Sequence, residues 1–79
     1  MKKYHFHVFD GEAYAWDGAG VMLPDLAAVV QQAELKAQDI MRSRPDVQDW
    51  KMWKVDVRGA DDITIFHYPF EEVRDVRTA

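Results

Sequence analysis

Three histidines are the residues of this 79-residue chain best suited to chemistry. His5 and His7 stand two apart in Tyr4-His5-Phe6-His7-Val8-Phe9, a run of aromatic and strand-favouring residues. Alternation along a strand puts both imidazoles on one face, close enough to share a metal ion, and His67 from another strand could supply a third ligand. The competing reading is a sheet face on which the rings pack and hydrogen-bond locally. It is favoured, because no Cys or carboxylate is fixed beside the pair.

Other reactive types are sparse. Asp10, Glu12 and Asp17 gather acidity around Gly11, but they lack the alternating ligands and closing Glu of a calcium loop. Turn chemistry for Asp10 and a solvated face for the others are the expectation. Gly18-Ala19-Gly20 lacks the third Gly of a dinucleotide loop and the Gly-Lys-Ser/Thr of a P-loop, and Val21-Met22-Leu23-Pro24 separates it from the next helix. Ser43 is the only serine, with no nucleophile elbow around it, and no acid–base pair is placed together. No catalytic residue and no cofactor are expected, and the chain reads as a non-enzyme. Trp50, Lys51, Trp53, Lys54, Phe66 and Tyr68 interleave rings with cations as single-strand stacking platforms do. A net charge of −4, a pI of about 5.2 and scattered basic residues argue against nucleic acid and make these rings candidates for the core.

With 48% hydrophobic and 30% charged residues the composition is that of an ordered globular domain. There is no Cys, hence no disulfide framework and no thiolate site. A core this small rarely yields more than about 3–5 kcal/mol, so dense packing or a partner must do the work of a missing staple. Three Trp, three Tyr and four Phe favour packing and leave room for a partner. No apolar run approaches a bilayer-spanning length, and His5, His7 and Asp10 interrupt any signal-like segment behind Met1-Lys2-Lys3. No membrane partner and a cytoplasmic location are expected.

The elements that must position these residues follow from pattern. A first strand over 4–9 puts Tyr4, Phe6 and Val8 opposite His5, His7 and Phe9, and bulk on both faces marks it as central. Asp10-Gly11 makes a tight hairpin turn to a second strand over 12–17, and 21–23 continues extended up to Pro24. Pro24 keeps Leu23 out of the helical region and Asp25 caps a helix. Leu26, Val29, Val30, Ala33, Ala37, Ile40 and Met41 form its apolar stripe, and Pro45 ends it near Ser43. After a linker, strands over 50–58 and 63–70 are joined by Gly59-Ala60-Asp61-Asp62, and Pro69 marks an edge or the end of pairing. The expected fold is α+β, β-β-α-β-β: one amphipathic helix on one face of a small, mostly antiparallel four-stranded sheet. It forms a single domain, 1–79, in which about 71–79 is a frayed charged tail.

The ordered set Tyr4-His5-Phe6-His7-Val8, Asp10-Gly11, Asp17, Gly20, Leu23-Pro24-Asp25-Leu26, Trp53-x-Val55-x-Val57 and Pro69-Phe70 resembles a family of short bacterial proteins grouped as a domain of unknown function. The resemblance runs to about residue 73. It departs at His5, where the family usually has another aromatic, in the weak Glu-Ala pairs of the helix, and in a second hairpin turn without Gly at Asp61-Asp62. It implies the fold and carries no activity. A weaker architectural likeness is to HicB-type antitoxins, which combine a strand pair, a Pro-Asp-Leu entry and a helix on a sheet. The Gly-Cys-type continuation and the DNA-binding extension of those proteins are missing here.

One helix covers one sheet face, yet three strands carry bulky side chains on both. An apolar face left in water usually marks an interface. Phe9, Trp50, Met52, Phe66 and Tyr68 are the candidate contact residues, and a homo-oligomer or another protein is the expected partner.

Overall fold

The sheet is assembled on β1 (Lys2–Phe9), whose two edges are served very differently. In the computed structural model, which describes residues 1–73, one edge is paired throughout 4–9 with β4 (Lys54–Gly59). The other edge is shared: β2 (Tyr14–Ala15) pairs with Val8 and Phe9, and β3 (Val21–Leu23) pairs with Lys2, Lys3 and Tyr4. β5 (Thr64–Pro69) completes the order β2-β1-β4-β5, and every pairing is antiparallel. The sheet therefore has five strands, not the expected four, because the chain leaves β1 after Ala15 and returns to it at Val21.

Local chemistry explains the shifted boundaries. Asp10 Oδ1 accepts the amides of Glu12 (2.8 Å) and Ala13 (2.9 Å), and Asp10 N–H donates to Ala13 C=O, so the first turn is wider than a two-residue hairpin. Gly11 holds φ 102° there, and a Cβ at that position would lie 2.9 Å from Cβ of Met52. The strand expected from residue 50 begins only at Lys54, since Trp53 N–H closes a turn on Trp50 C=O. In the second hairpin, Asp62 takes the left-handed conformation (φ 66°) that Asp tolerates better than most residues.

Helix α1 (Leu26–Ser43) starts where expected, with Asp25 Oδ1 accepting Ala28 N–H at 2.8 Å. It packs on β4, β1 and β5 through Val29, Ala33 and Ala37, which are fully buried, with Ile40 and Met41 partly so. Leu26 (62% exposed) and Val30 (44%) do not join the core. The small alanines let the helix lie close to the sheet along one narrow line, and residues flanking that line overhang it. The covered face carries Tyr4, Phe6 and Val8 of β1 and Val55 and Val57 of β4, joined by Phe70. Phe70–Glu72 form a short 3-10 turn, and Val73 packs on the core. The charged tail expected from about residue 71 thus starts with this turn, and its remainder, 74–79, lies outside the described residues. Among the described residues no helix is long and apolar enough to cross a membrane.

The opposite face is polar, contrary to the expected doubly apolar sheet. Register sets His7 beside Asp56, Asp56 beside His67, and Arg58 beside Thr64. A β-bulge between Val57 and Arg58 displaces Ile65 from the alternation, so Ile63, Ile65 and His67 do not share a face as the sequence predicts.

Candidate functional site

His5 and His7 lie on the uncovered face as expected, their rings nearly parallel with centroids 6.0 Å apart. Both inner nitrogens are already engaged by Asp17. His5 Nδ1–H donates to its carbonyl (2.8 Å), and its N–H donates to His7 Nδ1 (2.8 Å). His67 stands across β4, its Nε2 3.6 Å from Asp56 Oδ1. The three rings are not brought to one point, and no group of three or more His, Cys, Asp or Glu among the described residues could hold a metal ion. His7 is 5% exposed, and its Nε2 is buried without a hydrogen-bond partner among the described residues. Burial, then the nearby Arg58 charge, holds its pKa below the ordinary value of 6.5.

Asp56 is 1% exposed, although no helix covers its face. Arg58 donates to its Oδ2 from Nε (3.1 Å) and Nη2 (2.9 Å), and Thr64 Oγ1 donates to its Oδ1 (2.9 Å). Burial opposes ionisation, but these donors outweigh it and hold the carboxyl below its usual range. Trp16 crosses His7 at 4.6 Å between centroids, Tyr14 stacks on Trp16 at 4.7 Å, and the Arg58 guanidinium lies 5.2 Å from the Trp16 ring centre. This face is thus closed by its own side chains.

Asp17 fills the gap between β2 and β3. Its Oδ2 accepts Phe6 N–H and its Oδ1 accepts Gly20 N–H, both at 3.0 Å. The carboxylate supplies the ladder bond that a continuous strand would have given to β1. Sequence reasoning gave Asp17 a solvated face; the Gly20 immediately before an extended triplet is the only local sign of this role.

The five candidate contact residues do not form one surface. Phe9 lies on the polar face, under Lys54 Nζ at 5.4 Å. Trp50 packs into the core end, stacked on Phe70 at 5.4 Å, and Met52 covers Gly11. Phe66 and Tyr68 do share an element, β5, and lie half-buried on the helix side. Next to them are apolar residues that the sequence did not single out for contact: Ile63 (62% exposed), Ile65 and Leu26. Met1, Tyr4, Met22, Leu26 and Ile65, together with the charged Lys2, Lys3 and Asp61, line a groove of about 700 Å³ at this end of the molecule.

Among the described residues no other strand pairs with the outer edge of β5, which is the long edge of the sheet; the opposite side ends in the short strands β2 and β3. Phe70 N–H donates to Trp53 C=O at 3.0 Å. Counting the alternation back along the antiparallel ladder turns the His67 N–H and C=O outward, away from β4. Pro69 falls at the next outward position, where its missing N–H breaks no bond to β4.

A family model described as a domain of unknown function (DUF6894) matches residues 3–71. No curated protein and no solved structure gives a significant match.

Proposed function

Because the chain belongs to the DUF6894 family, whose description assigns no activity, we propose the reading its surface supports best: a non-catalytic protein-interaction module that receives an extended segment of its partner along the outer edge of β5. The observation that carries this is the coincidence of a strand edge that no strand pairs with among the described residues with exposed apolar side chains on the same strand and beside it. Unpaired backbone donors and acceptors are a template for strand addition, and neighbouring apolar residues supply the contacts that add to affinity. The uncovered sheet face serves this purpose poorly, since its polar groups are turned on one another and its rings are stacked in place.

A displayed library of random peptides selected on the immobilised protein tests the reading. The expected result is enrichment of extended apolar sequences whose binding is lost in His67→Pro and kept in His67→Gln. The first variant removes the outward N–H, whereas the second changes only the side chain. Amide shifts on peptide addition should concentrate at 63–69. Enrichment that survives His67→Pro, or shifts centred on another element, overturns the proposal.

A further inference from the structure

The strand that would be extended contains no Asp, Glu, Lys or Arg: Thr64, Ile65, Phe66, His67, Tyr68, Pro69. Its two ends are acidic. Asp61 and Asp62 precede it, and Glu71 and Glu72 follow it; all four are exposed. The cation nearest the first pair in sequence, Arg58, is already committed. It holds Asp56 through Nε and Nη2 and reaches Asp62 from Nη1 at 3.2 Å. Asp61 uses Oδ1 to accept Ile63 N–H, which fixes its carboxylate beside the strand entry.

This charge pattern chooses among occupants. An antiparallel second copy would set the Asp61-Asp62 end of one strand against the Glu71-Glu72 end of the other, like charge against like at both ends. An extended segment with an apolar centre and cations at its ends meets opposite charge at both. The whole-chain charge of −4 steers the same kind of partner toward the surface. Resting on the strand-addition reading above, we infer that the β5 edge takes an extended segment of another protein that is apolar in its middle and carries Lys or Arg on both sides.

Three synthetic peptides with one shared Thr-Val-alternating core, flanked by Lys-Lys, Ser-Ser or Glu-Glu at both ends, test this on the full-length chain by fluorescence anisotropy. Exposed pairs are individually weak, so several of them together, with Asp62 contributing least because Arg58 already reaches it, are expected to make the Lys-flanked peptide bind about tenfold tighter than the Ser-flanked one at low salt. The gap should close at high salt. Glu71→Gln combined with Glu72→Gln should remove about half of the preference on a logarithmic scale, and His67→Pro should abolish binding of all three peptides. Equal affinity for the three, with His67→Pro still blocking them, overturns the charge inference and leaves strand addition standing. No binding of any peptide to a chain whose folding is verified by circular dichroism overturns both. Sedimentation that shows a dimer lost in His67→Pro overturns the inference in favour of a second copy.

Discussion

Replacing Asp17 by Ala is the sharpest perturbation of the fold. It removes the acceptors of the Phe6 and Gly20 amides, both at 3.0 Å, and leaves the β1 edge unserved between its two short partners. Hydrogen bonds to a charged group contribute about 1.5–3 kcal/mol each. Asp17 is half-buried, so the lower figure applies, and the two together come to about 3 kcal/mol. That is most of the ~3–5 kcal/mol a core of this size provides. Asp17→Asn keeps one carbonyl acceptor and loses the charge, so about half the effect is expected. Urea titration followed by tryptophan fluorescence reads the loss, and hydrogen exchange at the Phe6 amide reads its cause. The same carboxyl gives the effect a pH signature. Burial pushes its pKa up, but the Phe6 and Gly20 amides, then Lys36 and His5, hold it below the ordinary 3.8. Protonation is therefore easier in the unfolded chain. The contribution is complete above 3.8 and lost as pH falls through the lower folded value. If Asp17→Ala shifts stability by less than ~0.5 kcal/mol, the size of an ordinary surface change, or leaves Phe6 exchange untouched, the ladder role is wrong.

His7 should add an earlier step to acid unfolding. Its folded pKa lies below 6.5 because of burial and then Arg58, so stability is full above 6.5 and declines as pH falls toward the folded value; thermal melts against pH should lose this leg in His7→Gln. Arg58→Ala strips the main donors from buried Asp56 and should lower the urea midpoint well beyond Arg44→Ala, whose pair with Asp46 is exposed and screened. On the helix, Ala37→Leu should destabilise by about 1–3 kcal/mol through overpacking, whereas Leu26→Ala should be nearly silent in stability assays, since Leu26 is 62% exposed.

How far the sequence could be read depended on whether a feature is local. Asp25 and the apolar stripe define α1 with its start and end, because capping and periodicity involve neighbours along the chain. Which part of the stripe touches the sheet is not local. The stripe spans more of the helix surface than the contact line through Val29, Ala33 and Ala37, so Leu26 and Val30 are left out. Ile65-x-His67 looks like one face of a strand until a single bulge displaces Ile65, and nothing in the neighbouring residues announces that bulge. In the sequence Asp56 and Arg58 alternate with Val55 and Val57, the pattern of a half-buried strand. Their burial depends on Thr64 from β5 and on rings from the Tyr14–Trp16 segment. Asp17 acquires its role only once β3 is known to pair with β1, a register decided by residues far from it in the chain.

The side of β1 away from β4 and the outer side of β5 are managed in opposite ways, and the contrast bears on the kind of partner β5 can accept. At the β1 edge, two short strands and a carboxylate together satisfy the backbone, even at Phe6 where no strand is present. At the β5 edge the chain uses devices that limit pairing without preventing it. The bulge beside Ile65 breaks the regular spacing at one end, and Pro69 removes an outward donor at the other. Between them His67 still presents both its N–H and its C=O. A long strand laid along this edge would lose register at the bulge and meet a missing donor at Pro69, so continuous sheet-to-sheet growth is disfavoured. A short segment centred opposite His67 meets neither obstacle. Its few backbone bonds would give modest affinity, and selectivity would then have to come from the apolar groove around Ile65 and Leu26 and from charge at the two ends of the strand.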